Sequence, residues 1–137
     1  MGRKETIMEM RVNRLLKGKK PCYVYLRQNI GQIYEGGQSD FIMSITDNFI
    51  HFQKLSFFLR RYKPEKDLKV DRKSIKSYTH YNMNIATMTL ILYTYDKKYI
   101  QIFYNTGIAD TAETENNILG IINMLKEQGV KEHKWKI

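Results

Sequence analysis

A mainly β chain with helices (α+β) is what this sequence predicts: about seven antiparallel strands curled into a small barrel or sandwich, capped by a C-terminal α-helix and preceded by an N-terminal helix. Three observations carry that expectation. Apolar and strand-forming residues alternate from Cys22 to Tyr104, a capped apolar stripe of helical period follows, and a length of 137 residues at 42% hydrophobic suits one domain, two being too small for separate cores.

The closing helix is the best-signalled element, over Asp110 to Gln128. Asp110 can cap it with Glu113 three residues on, and Ile118, Ile121, Ile122 and Leu125 fall at i, i+3, i+4 and i+7, so one stripe faces a core. Gly129 supplies the stop. Asp110, Glu113 and Glu115 sit at the positive end of the helix dipole and Lys126 at the negative end. Gly120 lies off the stripe, at a cost of about 1 kcal/mol.

Residues 1–20 read as an N-terminal helical segment, because Thr6 and Glu9 form a capping-box pair and Met8, Val12, Leu15 and Leu16 make a stripe ending at Gly18. Met8, Met10 and Val12 also alternate, so a strand is the rival reading. The main domain spans 21–130. Tyr23–Leu26 is its first strand, Ile33-Tyr34 begins another, and Glu35-Gly36-Gly37 reads as a turn. Phe41–Thr46 and Phe49–Gln53 form a hairpin about Asp47-Asn48, a pair that tolerates left-handed backbone. Phe57–Tyr62 follows as a short strand, and Lys63–Asp67 as a solvated loop. Leu68 and Val70, Ile75–Tyr81, Thr87–Tyr95 and Tyr99–Tyr104 complete the set, and residues 131–137 are a tail, either loose or anchoring.

Thr46 to Phe52, the basic hairpin through Arg60 and Arg61, and then Leu68 to Tyr78 together resemble bacterial pleckstrin-homology-like (GRAM-like) domains. The similarity covers roughly residues 22–128. It implies a PH-like barrel acting as a non-catalytic binding module. Asp47-Asn48 stands where the family pattern favours basic residues, and Gln28 to Gln32 carries no Lys or Arg, so specific inositol-lipid recognition does not follow from it.

Motifs for chemistry are sparse. His51, His80 and His133 lack the short spacings that put two imidazoles on one element, so no metal site is expected. The single Cys22 excludes an intramolecular disulfide, lies beside Pro21 with no nearby His, and reads as a buried inert thiol. No nucleophile elbow or phosphate-binding glycine loop occurs, and the expectation is a protein that is not an enzyme and needs no cofactor. A reducing compartment suits the lone cysteine, no apolar run approaches the roughly 20 residues of a membrane span, and the start is charged, so the expected location is cytoplasmic. Met1-Gly2 with Thr6 fits a loose N-myristoylation pattern, for which helix capping by Thr6 is the ordinary explanation.

The net charge of +9 is concentrated in two clusters: seven basic and two acidic residues in 1–20, and eight basic and three acidic in 60–76. The second supplies the candidate ligand-binding residues Arg60, Arg61, Lys63, Lys66, Lys69, Arg72 and Lys73. Its net +5 is worth on the order of 5 kcal/mol against an anionic surface, enough to assist docking on a membrane and too little to create it alone. The partner expected is therefore a protein or an anionic membrane surface. Nucleic acid is the alternative, since Tyr62, Tyr78, Tyr81, Tyr93, Tyr95 and Tyr99 interleave with the basic residues.

The last hairpin is apolar on both faces. Met88, Leu90, Leu92, Ile100 and Ile102 define one, while Ile91, Tyr93, Tyr95, Tyr99 and Phe103 define the other, the candidate protein interface. A single helix covers only one face. The other is expected to meet residues 6–17, a second copy in a homodimer, or another protein.

Overall fold

The computed structural model describes Met8, Met10, and residues 14–16, 18–30, 33–55, 67–84, 86–95, 98–105 and 112–133. Its strands are β1 (Lys19–Ile30), β2 (Ile33–Ile45), β3 (Phe49–Lys54), β4 (Leu68–Asp71), β5 (Ile75–Asn82), β6 (Thr87–Thr94), β7 (Tyr99–Asn105) and β8 (Lys131–Glu132). A 3-10 turn at Arg72–Ser74 joins β4 to β5, and the helix α1 spans Ala112–Glu127. The sheet order is β4-β3-β2-β1-β7-β6-β5-β8. Two antiparallel meanders, β1 to β4 and β5 to β7, are thus joined edge to edge by the β1–β7 pair.

One core unites both meanders. Val24 and Leu26 of β1, Phe41 and Met43 of β2, Ile50 and Phe52 of β3, Val70 of β4, Ile75 and Tyr78 of β5, Leu90 and Leu92 of β6, and Ile100 and Ile102 of β7 are buried in a single cluster. Core positions therefore follow period two from strand to strand except in β5, where a register shift between Ile75 and Ser77 sets Tyr78 three residues beyond Ile75, and the sheet wraps about its own inner face. α1 closes it with the four residues of the stripe, Ile118, Ile121, Ile122 and Leu125, all buried, each worth about 1.5–3 kcal/mol relative to exposure. Gly120 faces open space, off the stripe. The helix stops in a Schellman motif: Gly129 takes φ 88, its N–H donates to the Lys126 carbonyl at 3.0 Å, and Val130 N–H donates to Leu125 at 2.8 Å.

A second, smaller cluster lies on the outside of β1 and β2, where Met10, Tyr23, Ile42 and Leu55 are buried with Leu16 and Tyr25 against them. The buried Gln53 amide donates to the Leu15 carbonyl there. The described part of residues 6–17 therefore covers β1 and β2, not the last hairpin as the alternation suggested. Most of that segment, including Thr6, Glu9 and Val12, lies outside the described residues, as does the expected strand Phe57–Tyr62.

The expected turn at Glu35-Gly36-Gly37 is instead inside β2. Leu26 pairs with Ser39 and Gln28 with Glu35, so three residues of β2 oppose Arg27 alone, and the two glycines form a bulge. The Asp47-Asn48 turn is where the sequence puts it, closed by Thr46 N–H to the Phe49 carbonyl at 2.9 Å. The C-terminal segment is anchored as far as His133: β8 runs parallel to β5, His133 N–H donates to the Tyr78 carbonyl at 2.6 Å, and Thr79 Oγ1 donates to the His133 carbonyl at 2.7 Å. Trp135 lies outside the described residues.

Candidate docking site

The chain turns from the first meander into the second at Asp71–Ser74. Asp71 Oδ1 accepts from Lys73 N–H at 2.9 Å and Ser74 Oγ donates to the Asp71 carbonyl at 2.6 Å, a local pattern that favours a tight turn over continued strand. The end of β6 is tied to it, because Tyr95 N–H donates to the Ser74 carbonyl at 3.1 Å. The β6–β7 connection is pinned by Thr94, whose N–H donates to the Lys98 carbonyl at 2.9 Å and whose Oγ1 bonds the same carbonyl at 3.1 Å. Two turns distant in sequence are thereby fixed side by side.

A concavity lies on each side of the β6–β7 turn. One, of about 420 Å³, opens between β4 and the turn, with Lys69, Asp71, Tyr95 and Lys98 at its rim and Val70 and Ile100 in its floor. The other, of about 530 Å³, lies over the outer face of β5 to β7, with Lys76, Lys98, Tyr93, Tyr95, Tyr99 and His133 around it. Thr94, Tyr95 and Lys98 belong to both. Among the described residues lining the two concavities, Lys69, Lys76 and Lys98 thus gather at one pole with the carboxylate of Asp71, whose oxygen caps the turn. Tyr95 projects there at 70% exposure.

The candidate ligand-binding residues divide. Arg60, Arg61, Lys63 and Lys66 lie outside the described residues. Lys69 is exposed, with Nζ 4.1 Å from the centre of the Phe49 ring, and Lys73 is exposed on the 3-10 turn. Arg72 is committed within the fold: Nη1 donates to the Asp47 carbonyl at 2.6 Å, its N–H to Asn48 at 3.0 Å, and its own carbonyl accepts from Gln128 Nε2 at 2.8 Å. The candidate interface divides too. Ile91 and Phe103 are buried, Tyr93 and Tyr99 are half-buried neighbours paired across β6 and β7, and Tyr95 alone of the five is exposed. Tyr93 also meets the His133 ring edge-on at 6.2 Å.

Lys98 was not legible as a site residue, since only the β-topology brings it opposite Lys69. Among the described residues no three His, Cys, Asp or Glu side chains gather as a metal site. His51 Nε2 bonds Thr46 Oγ1 at 3.1 Å, and His80 Nε2 bonds Tyr104 Oη at 2.6 Å with the two rings stacked. Burial holds His80 below the usual histidine range and pushes Tyr104 up to about 12, with Glu115 adding to the latter. Burial likewise pushes Cys22 up to about 11, so it is a protonated thiol against Asn117 and Thr114 of α1. No helix among the described residues is long and apolar enough to cross a membrane.

No protein-family model and no curated protein matches the sequence. Among solved structures the chain is similar to the hSac2 domain from human phosphoinositide phosphatase Sac2, with TM-score 0.51 at 8% identity, covering 100% of this chain and 92% of that one. The likeness is one of fold.

Proposed function

We propose that this chain is a non-catalytic binding module of PH-like type, cytoplasmic and bacterial, that docks clustered negative charge on a protein partner or an anionic membrane surface. The observation that carries it is the pole at the β6–β7 turn, where Lys69, Lys76 and Lys98 surround two concavities beside the exposed Tyr95. Paired antiparallel meanders closed by a C-terminal helix support the PH-like part, as the sequence resemblance implies. The N-terminal helix belongs to the same reading, supported by left-handed Arg14 at φ 56 and Leu15 N–H donating to the Met10 carbonyl at 2.8 Å. The basic loop residues Arg60, Arg61, Lys63 and Lys66 extend the docking charge in this proposal.

Lys69 and Lys76 are exposed and Lys98 is half-buried, and charge at such a rim can be reversed at little cost to folding, so the site can be tested without unfolding the protein. Replacing Lys69, Lys76 and Lys98 together by Glu is expected to abolish co-sedimentation with phosphatidylserine vesicles and retention on immobilised polyglutamate. Retention on one of the two matrices alone separates the membrane from the protein source. Binding unchanged on both removes this pole as the site.

Nucleic acid is the second reading, favoured by the Tyr93–Tyr99 cross-strand pair with Lys76 and Lys98 beside it. Phosphate contacts make log affinity fall steeply with log salt. Failure to retain single-stranded DNA or RNA at low salt dismisses it.

A further inference from the structure

Among the described residues β4 is the terminal strand of the sheet, bonded to β3. Its register pairs Asp71 with Phe49, Val70 with Ile50, Lys69 with His51 and Leu68 with Phe52. Arg72 N–H donates to Asn48 at 3.0 Å, one step further along the same register. In an antiparallel ladder bonded and unbonded pairs alternate, so Leu68 and Val70 bond to β3 while the main-chain groups of Lys69 and Asp71 point away from it. Ser74 Oγ takes the Asp71 carbonyl. Lys69 N–H, Lys69 C=O and Asp71 N–H have no bonding partner among the described residues and lie along the outer edge.

That edge faces the concavity of about 420 Å³, whose wall includes the three consecutive residues Lys69, Val70 and Asp71. A sheet face would present alternate residues, so a consecutive run is the edge itself. Donors and acceptors in alternation along an extended edge match another peptide backbone, whereas a phosphate group accepts only and would leave Lys69 C=O unmatched. Lys69 and Lys98 add positive charge on either side, and Val70 and Ile100 an apolar floor.

Deepening the docking function proposed above and resting on it, we infer that β4 receives an extended acidic segment of a protein partner as an added strand. The segment's backbone pairs with Lys69 and Asp71, its carboxylates meet Lys69 and Lys98, and its alternate apolar side chains enter the cleft toward Tyr95 and Ile100.

Asp71 allows the backbone donor to be removed without a change of backbone conformation, because its φ of −69 already lies in the range proline imposes. Asp71→Pro deletes the outward N–H and the turn-capping carboxylate, while Asp71→Ala deletes only the carboxylate. The probe is a fluorescein-labelled decapeptide of alternating Glu and Val, followed by anisotropy on the full chain, with a Lys and Val decapeptide as its counterpart. The wild-type chain is expected to prefer the acidic peptide, and Asp71→Pro to bind it roughly fivefold or more weakly than Asp71→Ala, the loss of one hydrogen bond. Lys69→Glu with Lys98→Glu, which leaves the backbone alone, is expected to reverse the preference between the two peptides. Equal binding by Asp71→Pro and Asp71→Ala, or no preference for the acidic peptide in the wild type, overturns the inference. Phosphatidylserine vesicles run in parallel distinguish the failures: vesicle binding without peptide binding overturns the added strand and leaves the docking function standing.

Discussion

Arg72 Nη1 donates to the main-chain carbonyl of Asp47 at 2.6 Å, so the turn after β4 holds the turn after β2. Gln128 Nε2, just past α1, bonds the Arg72 carbonyl at 2.8 Å and draws the end of the helix into the same junction. A residue that the charge pattern places in a ligand site is thus a clamp between three connections. Arg72→Ala is expected to lower stability to urea by about 1–2 kcal/mol, through the lost charge-assisted bond from Nη1 to the Asp47 carbonyl, the main-chain bonds of residue 72 being retained, and the exposed Lys73→Ala to change it by less than about 0.5 kcal/mol. Equal effects of the two would show that the clamp is not holding the turns.

Gly18 is required by a close approach. A Cβ there would lie 2.7 Å from Ile45 N, 2.8 Å from Ser44 Oγ and 2.9 Å from the Ile45 carbonyl oxygen, and two of those three atoms are backbone. Ser44 is fully buried, so the end of β2 has no room to retreat. Gly18→Ala should therefore cost roughly 1–3 kcal/mol as an overpacked site. Gly120→Ala, with nothing near its Cβ, should instead stabilise α1 by up to about 1 kcal/mol. Urea midpoints of the two variants moving in opposite directions is the expected outcome, and midpoints moving together would contradict it.

Cys22 is 2% exposed and its thiol is pushed up to about 11 by burial, so the thiolate that reacts is scarce and inaccessible in the folded chain. Labelling by a disulfide reagent near pH 8 is expected to be negligible over hours in the native protein and complete within minutes in urea. Rapid native labelling would mean that α1 opens from β1, because Thr114 and Asn117 of that helix hydrogen-bond the thiol.

How far the sequence carries depends on whether a signal is local. Ile118, Ile121, Ile122 and Leu125 disclose α1 because helical period needs no partner, and Asp47-Asn48 discloses its hairpin because the turn's backbone demands such residues. Gly36-Gly37 reads equally as turn or bulge, and only the partner strand decides, through the Gln28–Glu35 register. The docking pole was half legible. Lys69 and Tyr95 stand out as a basic and an aromatic candidate, but their adjacency arises from β4 and the β6–β7 turn meeting across the sheet. Arg72 was misleading for the same reason, since its acceptor on Asp47 is a main-chain oxygen that no side-chain pattern announces.

His80 gives the fold a pH dependence of definite sign. It lies within the β5–β7 meander, bonded to Tyr104 Oη at 2.6 Å, and burial lowers its pKa while the Glu132 carboxylate opposes that shift without cancelling it. The unfolded chain takes up its proton first as pH falls, near the ordinary histidine value of about 6.5. From there downward the unfolded state binds more protons than the folded one, so stability declines until folded His80 is also protonated. Above that window the contribution is constant. The thermal midpoint is therefore expected to be lower at about pH 5.5 than at about pH 7.5, and His80→Gln, which keeps a hydrogen-bonding side chain without a titrating ring, should flatten the difference. An unaltered pH profile in His80→Gln would assign the dependence to other groups and leave His80 a purely packed residue.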